Sequence, residues 1–245
     1  MRRYLCSTCV ACLLVAWSQT VMAQRGYSDK QNYVGITLGS VSDNYLTGEL
    51  DSDDDTLNFN NYKSLYLEQG YMTSLRVGRT TTPPDAFAAI ELEGLLILGT
   101  DIDDNKFYYR EFSVGSNVFM NADISIEAVM GNLYLRDPRG SVHPYIGFGL
   151  GWAWTDIDMD LQLQPGFAWP GTTNRSGGIS SSESDYAVQA LLGFDWHMTD
   201  TLGLDIGYRY FHTQAEIEDS IGTTDFDIDT TYDTHMLTAG LRYMF

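Results

Sequence analysis

The chain has 245 residues, with 14 Lys and Arg against 33 Asp and Glu and a net charge of −19. That balance excludes nucleic-acid binding, which needs the opposite sign. Cysteine occurs three times, at Cys6, Cys9 and Cys12, all near the N-terminus.

Arg2 and Arg3 form a positive n-region, Cys9–Trp17 is a short apolar core, and Val21-Met22-Ala23 places small residues where a signal peptidase reads. A bilayer span takes roughly 20 helical residues, so this core is too short for an anchor. Cys9-Val10-Ala11 ahead of Cys12 is not a leucine-led lipobox. Residues 1–23 are therefore expected to be a cleaved secretory signal, with one domain over 24–245. All three cysteines leave with the signal, which excludes disulfide stapling, cysteine catalysis and thiolate metal sites in the mature chain. Losing Arg2 and Arg3 leaves 12 basic against 33 acidic residues, a net charge of −21.

The remainder has no apolar run of helical length, which rules out an inner-membrane bundle. It alternates with period 2 in eight segments, near 33–41, 67–79, 86–99, 123–136, 142–156, 186–197, 201–213 and 234–245. Thr80–Asp85, Asp137–Ser141 and Met198–Asp200 read as tight turns. The stretches 42–66, 100–122, 157–185 and 214–233 are long and polar. This rhythm predicts an all-β fold: an antiparallel up-and-down transmembrane β-barrel of eight strands, with short periplasmic turns and long extracellular loops.

Alternation also assigns the two faces. On the fifth segment Ile146, Phe148, Leu150, Trp152 and Trp154 oppose Gly147, Gly149, Gly151 and Ala153. The sixth sets Val188, Ala190, Leu192, Phe194 and Trp196 against Gln189, Gly193, Asp195 and His197. The seventh sets Leu202, Leu204, Ile206, Tyr208 and Tyr210 against Gly203, Asp205, Gly207 and Arg209. The apolar side is expected toward lipid and the small or charged side toward the lumen, the reverse of a lipocalin-like soluble barrel. The fourth segment is mixed: Ile124, Ile126 and Ala128 hold one parity and Val129, Leu133 and Leu135 the other. A bulge near Ala128 would reconcile them.

The closing segment, His235–Phe245, places Leu237, Ala239, Leu241, Tyr243 and Phe245 on one face. Such an apolar edge needs burial, which barrel closure in a bilayer supplies. Thr238-x-Gly240-x-x-Tyr243-x-Phe245 resembles the C-terminal sorting signal of outer-membrane barrels, which implies Gly240, Tyr243 and Phe245 as an assembly signal read by the barrel-assembly machinery. Met130–Tyr134, Pro144–Gly151 and Leu204–Phe211 resemble small eight-stranded surface proteins of Gram-negative bacteria, the opacity-type and OmpA/OmpW-like barrels. The resemblance implies the bacterial outer membrane, surrounding lipid and lipopolysaccharide, and a monomer. It specifies architecture more than activity.

The charges read as lumen-facing are Arg76, Glu91, Glu93, Glu127, Asp195, Asp205, Arg209 and Arg242. Two readings stay open: ion pairs plugging a narrow interior, or a pore whose carboxylate excess favours cations. The four long stretches, counted from Asp156 in the third, hold 22 of the 33 acidic residues and only 4 basic ones. Asp51, Asp53 and Asp55, like Asp225, Asp227 and Asp229, have the spacing of weak divalent-cation candidates but lack the EF-hand glycine and glutamate. The alternative is a solvated, self-repelling surface.

No cofactor is implied. His143, His197, His212 and His235 are the only imidazole bases, and Thr213-Gln214-Ala215 after His212 departs from the serine that lipid A deacylase barrels place near a rim histidine. Beyond Thr155, Ile157, Met159, Leu161 and Leu163 continue the lumen-side parity. They suggest either a wall extended above the membrane or an apolar mouth for a hydrophobic small molecule. The expected function is a surface-interaction protein of the envelope without enzymatic activity. The alternatives are a narrow channel for small cations or small hydrophobic molecules, and a lipid-modifying enzyme.

Overall fold

The computed structural model describes residues 32–52, 59–67, 69–80, 87–102, 118–137, 142–163, 176–221 and 224–245. The expected signal at 1–23 lies outside them, as do Asp53, Asp55 and most of the turns at Thr80–Asp85 and Asp137–Ser141. Nine strands carry the fold: β1 Asn32–Ser52, β2 Phe59–Leu67, β3 Gly70–Thr80, β4 Ala88–Ile102, β5 Val118–Arg136, β6 Val142–Leu163, β7 Ser176–His197, β8 Leu202–Ile221 and β9 Thr224–Met244. All ladders are antiparallel between neighbours, and β1 also pairs with β9, so the sheet closes. The upper half of β1 pairs with β2 and its lower half with β3. β2 and β3 thus serve in succession as one wall, and the barrel has eight walls.

Cross-strand pairing followed from Asp195 on β7 runs through Asp205, Gly240, Thr37, Ser74, Leu95, Ala128 and Ala153. It returns to β7 at Asp185, ten residues from its start. That stagger inclines the strands to the axis, and eight strands leave an interior that side chains can fill. The outer face is an apolar belt on every wall, with Leu38 62 %, Leu192 59 % and Leu237 65 % exposed. Tyr71, Trp152, Tyr186 and Tyr208 line its upper edge, and Phe87, Trp196 and Tyr243 its lower edge, all exposed. Only an apolar medium stabilises such a belt, and aromatic edges suit its two interfaces.

Three expectations need correction. Strand β5 has no bulge near Ala128; its register against both neighbours runs unbroken from Ile126 to Leu135. The shift in the β4–β5 ladder lies higher, between Ile97 and Thr100, where Gly99 adopts φ 72°. Ile124, Ile126, Ala128 and Met130 simply face inward, while Val129, Leu133 and Leu135 face out. The stretches expected as long loops are largely strand among the described residues: β8 and β9 are joined across Ile221 and Thr224, and β6 runs to Leu163, in line with the reading of an extended wall beyond Thr155. Finally, the interior is not glycine and charge throughout, because its upper half is mainly apolar with a few threonines.

Above the belt the ladders separate. β8 pairs with β7 only over Gly203–Thr213 among the described residues, while its upper part pairs with β9 alone. One extracellular sheet is therefore β8–β9–β1–β2 and the other β4–β5–β6–β7. The register of the second sets Ile102, Ala122, Met159 and Ile179 in one row, two residues above the paired Ile124 and Ile157.

Candidate functional site

The lower interior is a hydrogen-bonded ionic layer. Arg209 of β8 donates to both oxygens of Glu93 on β4 at 2.9 Å and to Gln189 at 3.0 Å. Three walls separate β4 from β8 in either direction round the barrel, so this pair spans the lumen. Glu93 also accepts from Asn132 and Gln189 at 2.9 and 3.1 Å. Glu91 accepts from Tyr33 at 3.0 Å, Tyr134 at 2.7 Å and Asn132 at 3.1 Å, and lies 4.0 Å from Arg76.

Toward the lower rim, Arg242 joins Asp195 at 2.6 Å and Asp205 at 3.2 Å. Arg76 reaches Asp205 at 3.5 Å, and Arg136 reaches Asp195 at 3.3 Å. The guanidinium of Arg242 also stands 4.4 Å over the Tyr33 ring. Inward glycines make these approaches possible. A Cβ on Gly240 would meet Arg76 Nη2 at 2.7 Å and Thr37 Oγ1 at 2.8 Å, and one on Gly207 would meet the Tyr145 hydroxyl at 2.6 Å. Gly240 therefore makes room for the Arg76 guanidinium, in addition to any part it has in an assembly signal.

Seven of the eight charges read as luminal lie in this layer. Glu127 does not: it alternates with buried Ile126 and Ala128 and pairs with Leu96 and Trp154, which places it on the outer face at the top of the belt. Arg136 belongs inside instead, on the parity of Asn132 and Tyr134. The exchange removes the carboxylate excess. Arg76, Arg136, Arg209 and Arg242 face Glu91, Glu93, Asp195 and Asp205, four charges of each sign. Charges so far from water require this pairing. Tyr33, Asn132, Tyr134, Tyr145 and Gln189, which complete the layer, are uncharged polar residues that alternation alone would have placed inside.

Above the ionic layer the barrel is filled mainly by apolar side chains, with Thr155, Thr213 and Thr234 buried among them. Met72, Ile97, Ile126, Met130, Ile157, Phe211 and Met236 are each at most 2 % exposed. Two layers of different chemistry thus occupy the lumen in series.

On the outer face of β8 and β9, just above the belt, Tyr210 donates to Asp233 at 2.5 Å and His212 Nδ1 meets the same oxygen at 2.8 Å. The Tyr208 hydroxyl meets His235 Nδ1 at 2.5 Å, and the two rings stack. At the lower rim the His143 and His197 rings stand 4.5 Å apart, with His143 Nδ1 bonded to the Asp137 carbonyl.

The acidic stretches are set in register. Glu218, Asp227 and Asp51 occupy directly paired positions on β8, β9 and β1, and Glu216, Asp229 and Glu49 do so one step below. Asp101, Asp123 and Asp158 form a third row across β4, β5 and β6. Like charges at paired positions repel, and mobile cations screen them. Asp225 pairs with Ser220. Among the described residues no three Asp, Glu or His side chains are grouped to hold a metal ion.

Comparisons with known proteins place this geometry. Uncharacterized proteins of Brucella suis and Brucella melitensis are each 25% identical over 247 residues, covering 94% of this chain and 77% of the relative. Among solved structures, Neisserial surface protein A aligns over 87% of this chain and 97% of its own at 15% identity and a TM-score of 0.44. OprG of Pseudomonas aeruginosa aligns over 89% and 97% at 15% identity and 0.48. The outer membrane protease OmpT of Escherichia coli aligns over 91% and 99% at 9% identity and 0.48. The model of the outer membrane protein β-barrel domain matches residues 9–245. The chain belongs to that family, and its place is the bacterial outer membrane.

Proposed function

We propose that the protein is a closed, non-conducting barrel that presents two acidic extracellular sheets at the cell surface, without enzymatic activity of its own. The observation that carries this reading is the Arg209–Glu93 pair across the lumen, overlain by the apolar layer of Met72, Ile97, Ile126 and Phe211. A conducting path needs water or polar groups along its length, and the two layers in series leave neither cations nor apolar solutes a continuous route. The four luminal carboxylates each answer a guanidinium, which leaves no unengaged acid–base pair facing a cleft there. The refolded protein in a planar bilayer should show no stepwise conductance above the bare membrane. Steady, cation-selective steps would overturn the reading in favour of the channel.

A second reading is favoured by Ile124 and Ile157, paired across β5 and β6 and both buried at the top of the apolar filling. It takes the extracellular mouth as a shallow acceptor for a small apolar molecule that does not pass further. An apolar fluorescent dye should then brighten on the folded barrel and lose that gain in Ile157→Asp. Equal brightening in both would leave the display role alone.

A further inference from the structure

The cluster on the outer face of β8 and β9 takes no part in the luminal layers. Its position is set by the alternation. On β8, Leu202, Leu204, Ile206 and Tyr208 face out below it, and on β9, Tyr243, Leu241, Ala239 and Leu237 do the same. Tyr210, His212, Asp233 and His235 follow immediately above, at the height where the belt gives way to polar wall. That is the level of the outer leaflet's headgroups.

Hydrogen bonds fix which atoms the cluster offers outward. Asp233 Oδ1 accepts from both Tyr210 and His212 Nδ1, so its charge is directed into the cluster and His212 is left with Nε2. His235 Nδ1 is engaged by the Tyr208 hydroxyl, and its Nε2 is likewise the remaining polar atom. With the phenol donating, Nε2 of His235 carries the proton. His212 thus turns Nε2 outward, on the same face as Nε2 of His235. Gln214, exposed on the same face of β8, adds an amide donor beside them.

Among the residues whose side chains are described, His212 and His235 are the only basic groups on the outer face above the belt. Arg76, Arg136, Arg209 and Arg242 all point inward. On the walls across the barrel, β5 and β6 carry Glu127, Asp123, Asp156 and Asp158 on the outer face, which repel anionic lipid, and on β8 itself Glu216 bounds the cluster from above. Among the described side chains, an anion approaching the outer face above the belt therefore meets imidazole groups here.

We propose that His212 and His235, held by Asp233 and Tyr208, bind the phosphate of an anionic lipid headgroup in the outer leaflet. The assignment does not depend on whether the lumen conducts. The folded full chain, reconstituted in phosphatidylcholine vesicles with a trace of spin-labelled phosphatidic acid or spin-labelled phosphatidylcholine, provides the test. The share of each label immobilised at the protein gives its relative preference. Wild type should enrich phosphatidic acid about fivefold, the net scale of one hydrogen bond, and His212→Gln/His235→Gln should fall to parity or below. Heat-modifiable migration checks that the double variant is folded. Should it fail to fold, His235→Gln alone is expected to lose a large part of the enrichment. Parity in wild type, or enrichment that survives in the folded variants, would overturn the proposal.

Discussion

Replacing Arg209 with glutamine should lower the stability of the folded barrel by about 3–5 kcal/mol, read as a shift of the urea unfolding midpoint in vesicles. Arg209 is 2 % exposed, and the Glu93 it holds is fully buried. Without the guanidinium, Glu93 keeps the amide groups of Asn132 and Gln189 but no positive partner within hydrogen-bond reach. Gln189 Oε1 loses its donor as well. The cost arises from a carboxylate left charged in a medium that solvates it poorly, and not from the pair's own attraction. Glu93→Gln added to Arg209→Gln should therefore recover most of the loss. A water-filled lumen would hydrate the stranded carboxylate, so an unchanged midpoint in the single variant would contradict the ionic layer.

The wall fold is legible in the sequence because a bilayer imposes a simple rule. On β6, β7 and β8 every second residue is large and apolar, and the structure turns those residues outward. The rule fails where the bilayer ends. Above the belt the polar residues become acidic and dense, so a stretch such as β9 before Asp233 reads as a solvated loop although it is paired, whereas β6 beyond Asp156 keeps an alternation that signals an extended wall. Glu127 was assigned inward on the premise that a charge avoids the outer face, but it stands where that face is leaving lipid. Strand β5 looked irregular for the same reason. Ile124 and Ile126 fill the upper lumen, Leu133 and Leu135 cover the lower belt, and one unbroken strand serves both. Arg136 was missed because it sits at the strand's last residue beside a turn. Its parity with Asn132 and Tyr134 was the available signal.

Deletion of Phe245 should separate what closes the barrel from what assembles it in the cell. Asn32 and Phe245 exchange both of their backbone bonds, Asn32 N–H donating to Phe245 O at 3.3 Å and Phe245 N–H to Asn32 O at 2.9 Å. The Phe245 ring also stacks on Tyr243, with centroids 6.3 Å apart. Yet the β1–β9 ladder already runs from Tyr33–Met244 up to Ser52–Phe226. Two backbone bonds at its lower end contribute only about 1–3 kcal/mol, a small part of so long a seam. The shortened chain refolded in detergent should therefore still close, with normal heat-modifiable migration and a modestly lower unfolding midpoint. In cells it should fail to reach the outer membrane and be degraded in the periplasm, if Tyr243 and Phe245 are read as a sorting signal before the seam forms. Gly240→Ala should behave in the opposite way, destabilising the refolded barrel by crowding Arg76 Nη2 while the terminal aromatics stay intact. Normal outer-membrane levels of the Phe245 deletion would leave that residue with a role in the seam alone.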